Sequence, residues 1–205
     1  RVVHPHVVPV VDTGILASGE PWVALGYAVG GSLADLLRLH PPIADVLRLM
    51  DEVLDALAAI HARMLIHQDL KPGNVLLHAG TDGLVHAWVA DLGVADALAE
   101  LNRDRKVISG TPSYMAPEQL LGRTHDLGPW TDLYAVGLIL FETLSGERPH
   151  IGEGRQELLE QRLRRPPPLP PNDEVPAVLA ELVASLMDPE PRQRFDRAAD
   201  VRRAL

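Results

Sequence analysis

The stretch His67-Gln68-Asp69-Leu70-Lys71-Pro72-Gly73-Asn74 decides how this chain is read. Pro72 and Gly73 argue against helix or strand there, so the stretch is a loop. On it stand a carboxylate (Asp69), an ammonium (Lys71) and a carboxamide (Asn74). A second acid, Asp91, follows seventeen residues beyond Asn74, close to Gly93. The oxygens of Asn74 and Asp91 suit Mg²⁺, which takes one or two carboxylates and completes its octahedron with phosphate and water. Asp69 is then left to accept a proton or orient a hydroxyl, and Lys71 to neutralise charge on a transferring phosphoryl group. Singly, each is an ordinary turn residue; the order and spacing of the set point to phosphate chemistry.

Outward from this loop the chain alternates between clear patterns and punctuation. Upstream, Ala44 to Arg63 reads as a helix, with Val46, Met50, Val53, Leu57 and Ile60 recurring every three or four residues and Arg48, Asp51, Glu52 and Asp55 on the other face. Ser32 is the expected N-cap of a short helix through Leu39, after the break at Gly30–Gly31. The opening reads as strands, Val2–Val3 and Val7–Val11 around a Pro/His turn, then a turn at Asp12–Gly14 and a strand at Trp22–Tyr27. Downstream, Val75–Leu77 and Val85–Val89 flank a turn at Gly80–Gly83. Asp91 to Glu118 is a long irregular segment of the kind that carries function, Thr131–Leu144 is an apolar helix closed by Gly146, and from Arg148 the chain is helical and Pro-punctuated. A few strands followed by mostly helices imply an α+β domain; no internal repeat is present.

Composition narrows the classes further. The 205 residues are 46% hydrophobic and 23% charged, ordinary for a folded domain. A net charge of −9 disfavours a nucleic-acid partner, and the absence of cysteine excludes disulfides, zinc ribbons and thiol catalysis. The longest apolar stretch, Ala135–Phe141, is far short of the roughly 20 residues of a membrane span, and no secretory signal opens the chain.

In this setting the chain resembles the protein kinases. His67–Asn74 is similar to the family's H-R-D-L-x-x-x-N catalytic loop except at Gln68, Asp91-Leu92-Gly93 to its D-F-G, and Ala116-Pro117-Glu118 to its A-P-E, within Gly110–Glu118 (GTPSYMAPE). HPHVVPVVD (His4–Asp12), WVALGYAVGGSL (Trp22–Leu33), TDLYAVG (Thr131–Gly137) and DPEPRQRF (Asp188–Phe195) also resemble kinase segments in the right order. Lys71, two residues after Asp69, looks like the serine/threonine branch, and the Ala-, Leu- and Arg-rich usage like a high-GC bacterium. The resemblance implies a kinase fold: residues 1–29 as a remnant of the smaller lobe's sheet and hinge, and 30–205 as the helical lobe with catalytic loop 67–74 and activation segment 91–118. It implies ATP and Mg²⁺ as cofactors, a protein substrate, and a cytoplasmic setting with any membrane anchor outside this stretch. Asp69 would be the catalytic base, Lys71 would stabilise the γ-phosphoryl charge, and Asn74 and Asp91 would hold the metal. Leu25 resembles the gatekeeper, the backbones of Gly26 and Ala28 would pair with the adenine edge, Leu76 would form the floor under the base, and Ser32 would lie near the ribose. Thr111 would sit beside Asp69 and Lys71 and help select a hydroxyl acceptor. His67 belongs to the structural frame of the loop; Asp132 resembles the acid that grips the loop's backbone, and Glu118 the acid that pairs with an arginine, here Arg194.

The departures from the family pattern carry their own expectations. The Gly-rich loop, strand lysine and helix Glu of kinases all precede the segment that Arg1–Asp12 resembles, so the chain reads as a fragment of a longer kinase and is expected to have negligible activity by itself. Its opening strands, parted from their partners, are expected to expose apolar faces and edges and to be poorly protected. Gln68 stands where many kinases have an arginine that pairs with an activation-loop phosphate, and Ser109 is the only hydroxyl between Asp91 and Gly110, so loop phosphorylation is not expected to be the main switch. Arg164–Pro171 (RRPPPLPP) reads as a stiff connector ahead of an SH3-type ligand, and His4 with His6 lacks a third metal ligand. Two other readings compete: a non-catalytic, pseudokinase-like binding module, opposed by the retained Asp69, Lys71, Asn74 and Asp91, and a small-molecule kinase, opposed by the peptide-docking look of GTPSYMAPE.

Overall fold

A computed structural model of the chain describes residues 2–92, 112–150, 154–170 and 175–205. In chain order these hold β1 (Val10–Ile15), β2 (Pro21–Leu25), α1 (Leu33–Leu37), α2 (Ile43–His61), β3 (Val75–Ala79), β4 (Val85–Val89), α3 (Pro117–Leu120), α4 (Pro129–Ser145), α5 (Arg155–Arg162), α6 (Ala177–Leu186) and α7 (Ala198–Ala204). The strands form two antiparallel hairpins, β1–β2 and β3–β4, so the architecture is α+β, with α1 and α2 between the hairpins and the other helices after them.

The two long helices are the ones whose periodicity is plainest. Along α2, Val46, Leu49, Met50, Val53, Leu54, Leu57 and Ile60 are buried, as an apolar stripe at helical spacing requires. Its outer acids are gripped from the far end of the chain: Arg202 on α7 binds Asp51 through two nitrogens and also Asp55. In α4 nearly every residue from Thr131 to Phe141 is buried. A helix apolar all round belongs in the interior, and α4 is the central one, against α2 on one side and α6 on the other. Pro129 fits its first turn, where the missing N–H costs nothing, and Gly146, at φ 76°, closes it in the left-handed conformation.

The β3–β4 hairpin lays Val75, Leu77, Ala87 and Val89 on the core. Glu52 of α2 accepts the Ala87 N–H at 2.7 Å, fixing hairpin to helix. Residues 6–8 add a short parallel rung to β4: the Val89 N–H donates to the His6 carbonyl at 2.8 Å and the Val8 N–H to the Val89 carbonyl at 3.0 Å.

Here the opening corrects the expectation. Val2–Val3 forms no strand, and the strand expected at Val7–Val11 starts at Val10 and runs on to Ile15, through the residues read as a turn. The reason lies across the hairpin: Gly14 is opposite Trp22, and a Cβ on it would come within 2.7 Å of the indole ring. Gly14 therefore marks a close approach. The reversal falls at Gly19, φ 87°, whose N–H donates to the Leu16 carbonyl. Val11, Ile15 and Val23 are exposed on this hairpin and Tyr27 just beyond it, in line with an opening sheet that displays apolar surface. Pro166–Pro168 forms no helix or strand, and Leu169 packs on the core, as suits a connector.

Candidate active site

Asp132, in the first turn of α4 and only 1% exposed, holds the polar loop by its backbone. Its Oδ2 accepts the His67 N–H and its Oδ1 the Gln68 N–H, each at 2.9 Å, while His61 at the end of α2 bonds the same carboxylate at 2.7 Å. Gln68 takes the left-handed conformation, φ 66°, which a non-glycine residue holds only where its surroundings enforce it; two N–H groups clamped by one buried carboxylate do so. The His67 ring is buried, donates from Nε2 to the Ala90 carbonyl at 2.7 Å and accepts the Asp69 N–H at Nδ1, 3.3 Å away. That pair of bonds fixes the orientation of the ring and ties the loop to the end of β4.

On this frame three of the sequence-identified groups converge. The Lys71 ammonium donates to Asp69 Oδ2 at 2.7 Å, and the Asn74 amide nitrogen reaches the same oxygen at 3.1 Å and the Asp69 carbonyl at 2.8 Å. A single helical turn, Pro72–Asn74, supplies the reversal that swings Asn74 back onto Asp69. With Nδ2 committed, Asn74 has its Oδ1 to offer a cation. Asp91 is brought to this point by the backbone: the Ala90 N–H donates to the Asn74 carbonyl at 2.9 Å, and the next residue, Asp91, is exposed and left-handed at φ 61°. An amide oxygen and a carboxylate are the hard donors Mg²⁺ takes. Among the described residues no group of three His, Asp or Glu could hold a metal on protein ligands alone, and His4 and His6 build no such group; a cation here would draw its remaining ligands from phosphate and water.

The proposed nucleotide side is laid out along β2 and β3. Leu25 ends β2 and is partly exposed; the Gly26 N–H is already given to the Pro9 carbonyl at 2.8 Å, so of its backbone only the carbonyl is left to meet a base. A Cβ on Gly26 would meet Pro9 at 2.7 Å and Trp88 at 3.3 Å. Ala28 is half-buried two residues on. The chain then crosses β3: Gly30 N–H to the Leu77 carbonyl and Leu77 N–H to the Gly31 carbonyl, both at 2.9 Å, with Ser32 bridged to Leu76. Leu76 points to the face of β3 opposite the buried Val75 and Leu77. The Ser32 hydroxyl caps α1 and gives its proton to Asp35 Oδ2 at 2.6 Å, holding that carboxyl below the usual carboxylate range; toward a ribose it has only acceptor capacity to spare. Ser109 and Thr111 lie outside the described residues.

Glu118 and Arg194 form a buried two-pronged ion pair, 2.9 and 3.0 Å, and Thr131 also donates to Glu118 at 2.9 Å. Arg194 further binds the carbonyls of Asp188, Pro189 and Trp130, and its guanidinium lies 4.6 Å from the Tyr134 ring centre. Several contacts escape sequence reading. Gln119 donates to the Gln68 carbonyl at 2.6 Å, joining α3 to the polar loop. Tyr114 donates to Glu142 at 2.6 Å; burial and then that carboxylate raise its phenol well above the usual range. Arg162 is buried under the turn Pro112–Tyr114. Each of these pairs residues from different elements, and neither spacing nor local pattern signals them.

Comparison with known proteins agrees with this geometry. The protein kinase domain family matches residues 1–202. The chain is 34% identical to the serine/threonine-protein kinase Pkn1 of Myxococcus xanthus, over 98% of this chain and 29% of that protein. It is 33% identical to PknK of Mycobacterium tuberculosis, over 97% and 18%, and 31% identical to PknB of Mycolicibacterium smegmatis, over 98% and 33%. The chain thus spans a third or less of the length of these curated relatives. With the match running across the polar loop, α4 and the buried acid–arginine pair alike, the chain belongs to the protein kinase family.

Proposed function

We propose that the protein carrying this chain transfers the γ-phosphate of ATP to serine or threonine hydroxyls of a protein substrate. The observation that carries the reading is the convergence of Lys71 and Asn74 on the Asp69 carboxylate, with Asp91 set beside Asn74 by the Ala90–Asn74 backbone bond. Asp69 orients the acceptor hydroxyl and takes its proton as the new oxygen–phosphorus bond forms and the bond to the ADP oxygen breaks. Lys71, 2.7 Å from Asp69, holds that carboxylate in place and lends positive charge to the phosphoryl oxygens. Asn74 and Asp91 would hold Mg²⁺, which supplies charge neutralisation on the phosphates. Leu25, the Gly26 carbonyl, Ala28 and Leu76 would frame the base, and Ser32 the sugar. Thr111 would select the acceptor hydroxyl, and Ser109 is not the main switch. Residues 1–29 are the smaller lobe's part and 30–205 the helical lobe. Among the described residues no helix is long and apolar enough to cross a membrane; dependence on ATP sets the reaction on the cytoplasmic side.

The test is phosphotransfer by the full-length protein from radiolabelled ATP to myelin basic protein. Asp69→Asn is expected to lower kcat by about 10²–10⁴-fold with the KM for ATP little changed. An Asp69→Asn protein with undiminished kcat would overturn the assignment.

A further inference from the structure

Arg162, the last residue of α5, is 0% exposed, yet among the described residues it forms no ion pair. Its Nη2 donates to the Ser113 carbonyl at 2.5 Å, while Nε and Nη1 have no hydrogen-bond partner among the described residues. Burying an unpaired cation is strongly unfavourable, and an apolar side chain of similar volume would fill the space at less cost. Local rules are broken in this way at functional sites, so the question is what the guanidinium does there. Among the described residues its one polar partner is the turn Pro112–Tyr114, and its Cζ lies 5.8 Å from the ring centre of Tyr134 on α4. Arg194 lies against the same ring at 4.6 Å and holds Glu118. The two ends of the segment 113–118 are thus gripped by two guanidinium groups set against one buried aromatic ring. His150, also buried, adds no second charge to this pocket at neutral pH, since burial and the nearby Arg162 lower its pKa to about 4.

We infer that Arg162 is a positioning residue for protein substrate, holding the turn Pro112–Tyr114 at the height at which the acceptor chain docks. The inference rests on reading that turn as the peptide-docking segment. Arg162 touches neither ATP nor the reacting atoms; it acts through the Ser113 carbonyl, and Tyr134 makes the two anchors one rigid unit. Loss of a charge-assisted hydrogen bond of this kind is worth on the order of tenfold or more in the equilibrium it serves.

The experiment compares the full-length protein with its Arg162→Met, Arg162→Lys and Ser113→Arg variants, measuring KM for myelin basic protein, KM for ATP and kcat. Arg162→Met removes the donor while filling the volume, and is expected to raise the KM for the protein substrate by about tenfold with the KM for ATP and kcat little altered; Arg162→Lys, which restores a donor, is expected to recover part of the loss. If Arg162→Met changes both KM values and kcat together, or changes none of them, the positioning role is wrong. If Ser113→Arg raises the KM for protein while Arg162→Met does not, the inference fails and the docking reading survives. If Ser113→Arg leaves that KM unchanged, the docking reading itself fails, and the inference with it.

Discussion

The carboxylate of Asp132 reaches 65 residues back along the chain to accept the backbone N–H of His67 at 2.9 Å. With the Gln68 N–H and His61 on the same carboxylate, it holds the loop in a conformation that includes one left-handed non-glycine residue. Asp132→Asn halves the acceptor capacity and sets an amide N–H against a backbone N–H. The unfolding transition of the domain in the intact protein is expected to lose about 2–3 kcal/mol. Because Asp69 is displaced with the loop, kcat is expected to fall by about 10². Urea denaturation and steady-state phosphotransfer measure the two effects separately.

The Glu118–Arg194 pair leads to a different pattern. Both side chains are buried, so Arg194→Met strands a carboxylate in the interior and is expected to cost about 3–5 kcal/mol. Replacing both, Glu118→Met with Arg194→Met, removes the stranded charge and is expected to cost markedly less than the sum of the single changes. A double-mutant cycle by chemical denaturation checks this; additive single effects would show that the pair is not coupled.

Gly137 sets two terms of opposite sign against each other. Alanine in a helix interior is favoured over glycine by about 1 kcal/mol, but a Cβ here would come within 2.8 Å of the Leu186 Cβ and 2.9 Å of the Met187 Cγ. Overpacking costs about 1–3 kcal/mol, and the Leu186 Cβ cannot swing away because it is fixed to the backbone of α6. Gly137→Ala is therefore expected to destabilise by about 1 kcal/mol, read as a lower denaturant midpoint with an unchanged slope.

His150 makes stability depend on pH in a fixed direction. Its pKa is lowered from the ordinary 6.5 to about 4, by burial first and by Arg162 second. The unfolded chain takes up a proton that the folded one refuses, so stability is fully present above pH 6.5 and drains away as pH falls toward 4. The full effect approaches about 3 kcal/mol. His150→Asn is expected to flatten that part of the profile, measured as the denaturant midpoint at pH 7.5 and pH 5.

What the sequence made legible follows from the range over which each signal acts. The helices α2 and α4 stand out because their apolar residues repeat over many turns, and Ser32 and Gly146 mark ends by chemistry that is local to the backbone. The convergence of Asp69, Lys71 and Asn74 was readable because all three lie on one short loop. The pairing of Glu118 with Arg194 was legible through the family resemblance alone, since 76 residues separate the two. The strand at the opening is not legible because Asp12–Gly14 has the composition of a turn, while the Trp22 ring that faces Gly14 lies across the hairpin. Residues 6–8 owe their place to β4, some eighty positions downstream, and the burial of Arg162 beside Tyr134 is equally a product of tertiary packing.

A single buried rod, α4, carries Asp132 at its start, Tyr134 two residues further and Glu142 near its end. The polar loop, the turn Pro112–Tyr114 and the acid–arginine latch all take their coordinates from that one piece, as instruments on a common bench do. Such an arrangement leaves little room for graded failure: warming that loosens α4 disassembles every working part at once. Heat inactivation and the loss of ordered structure should then share one midpoint, with no stage at which the protein keeps its shape and has already lost its alignment.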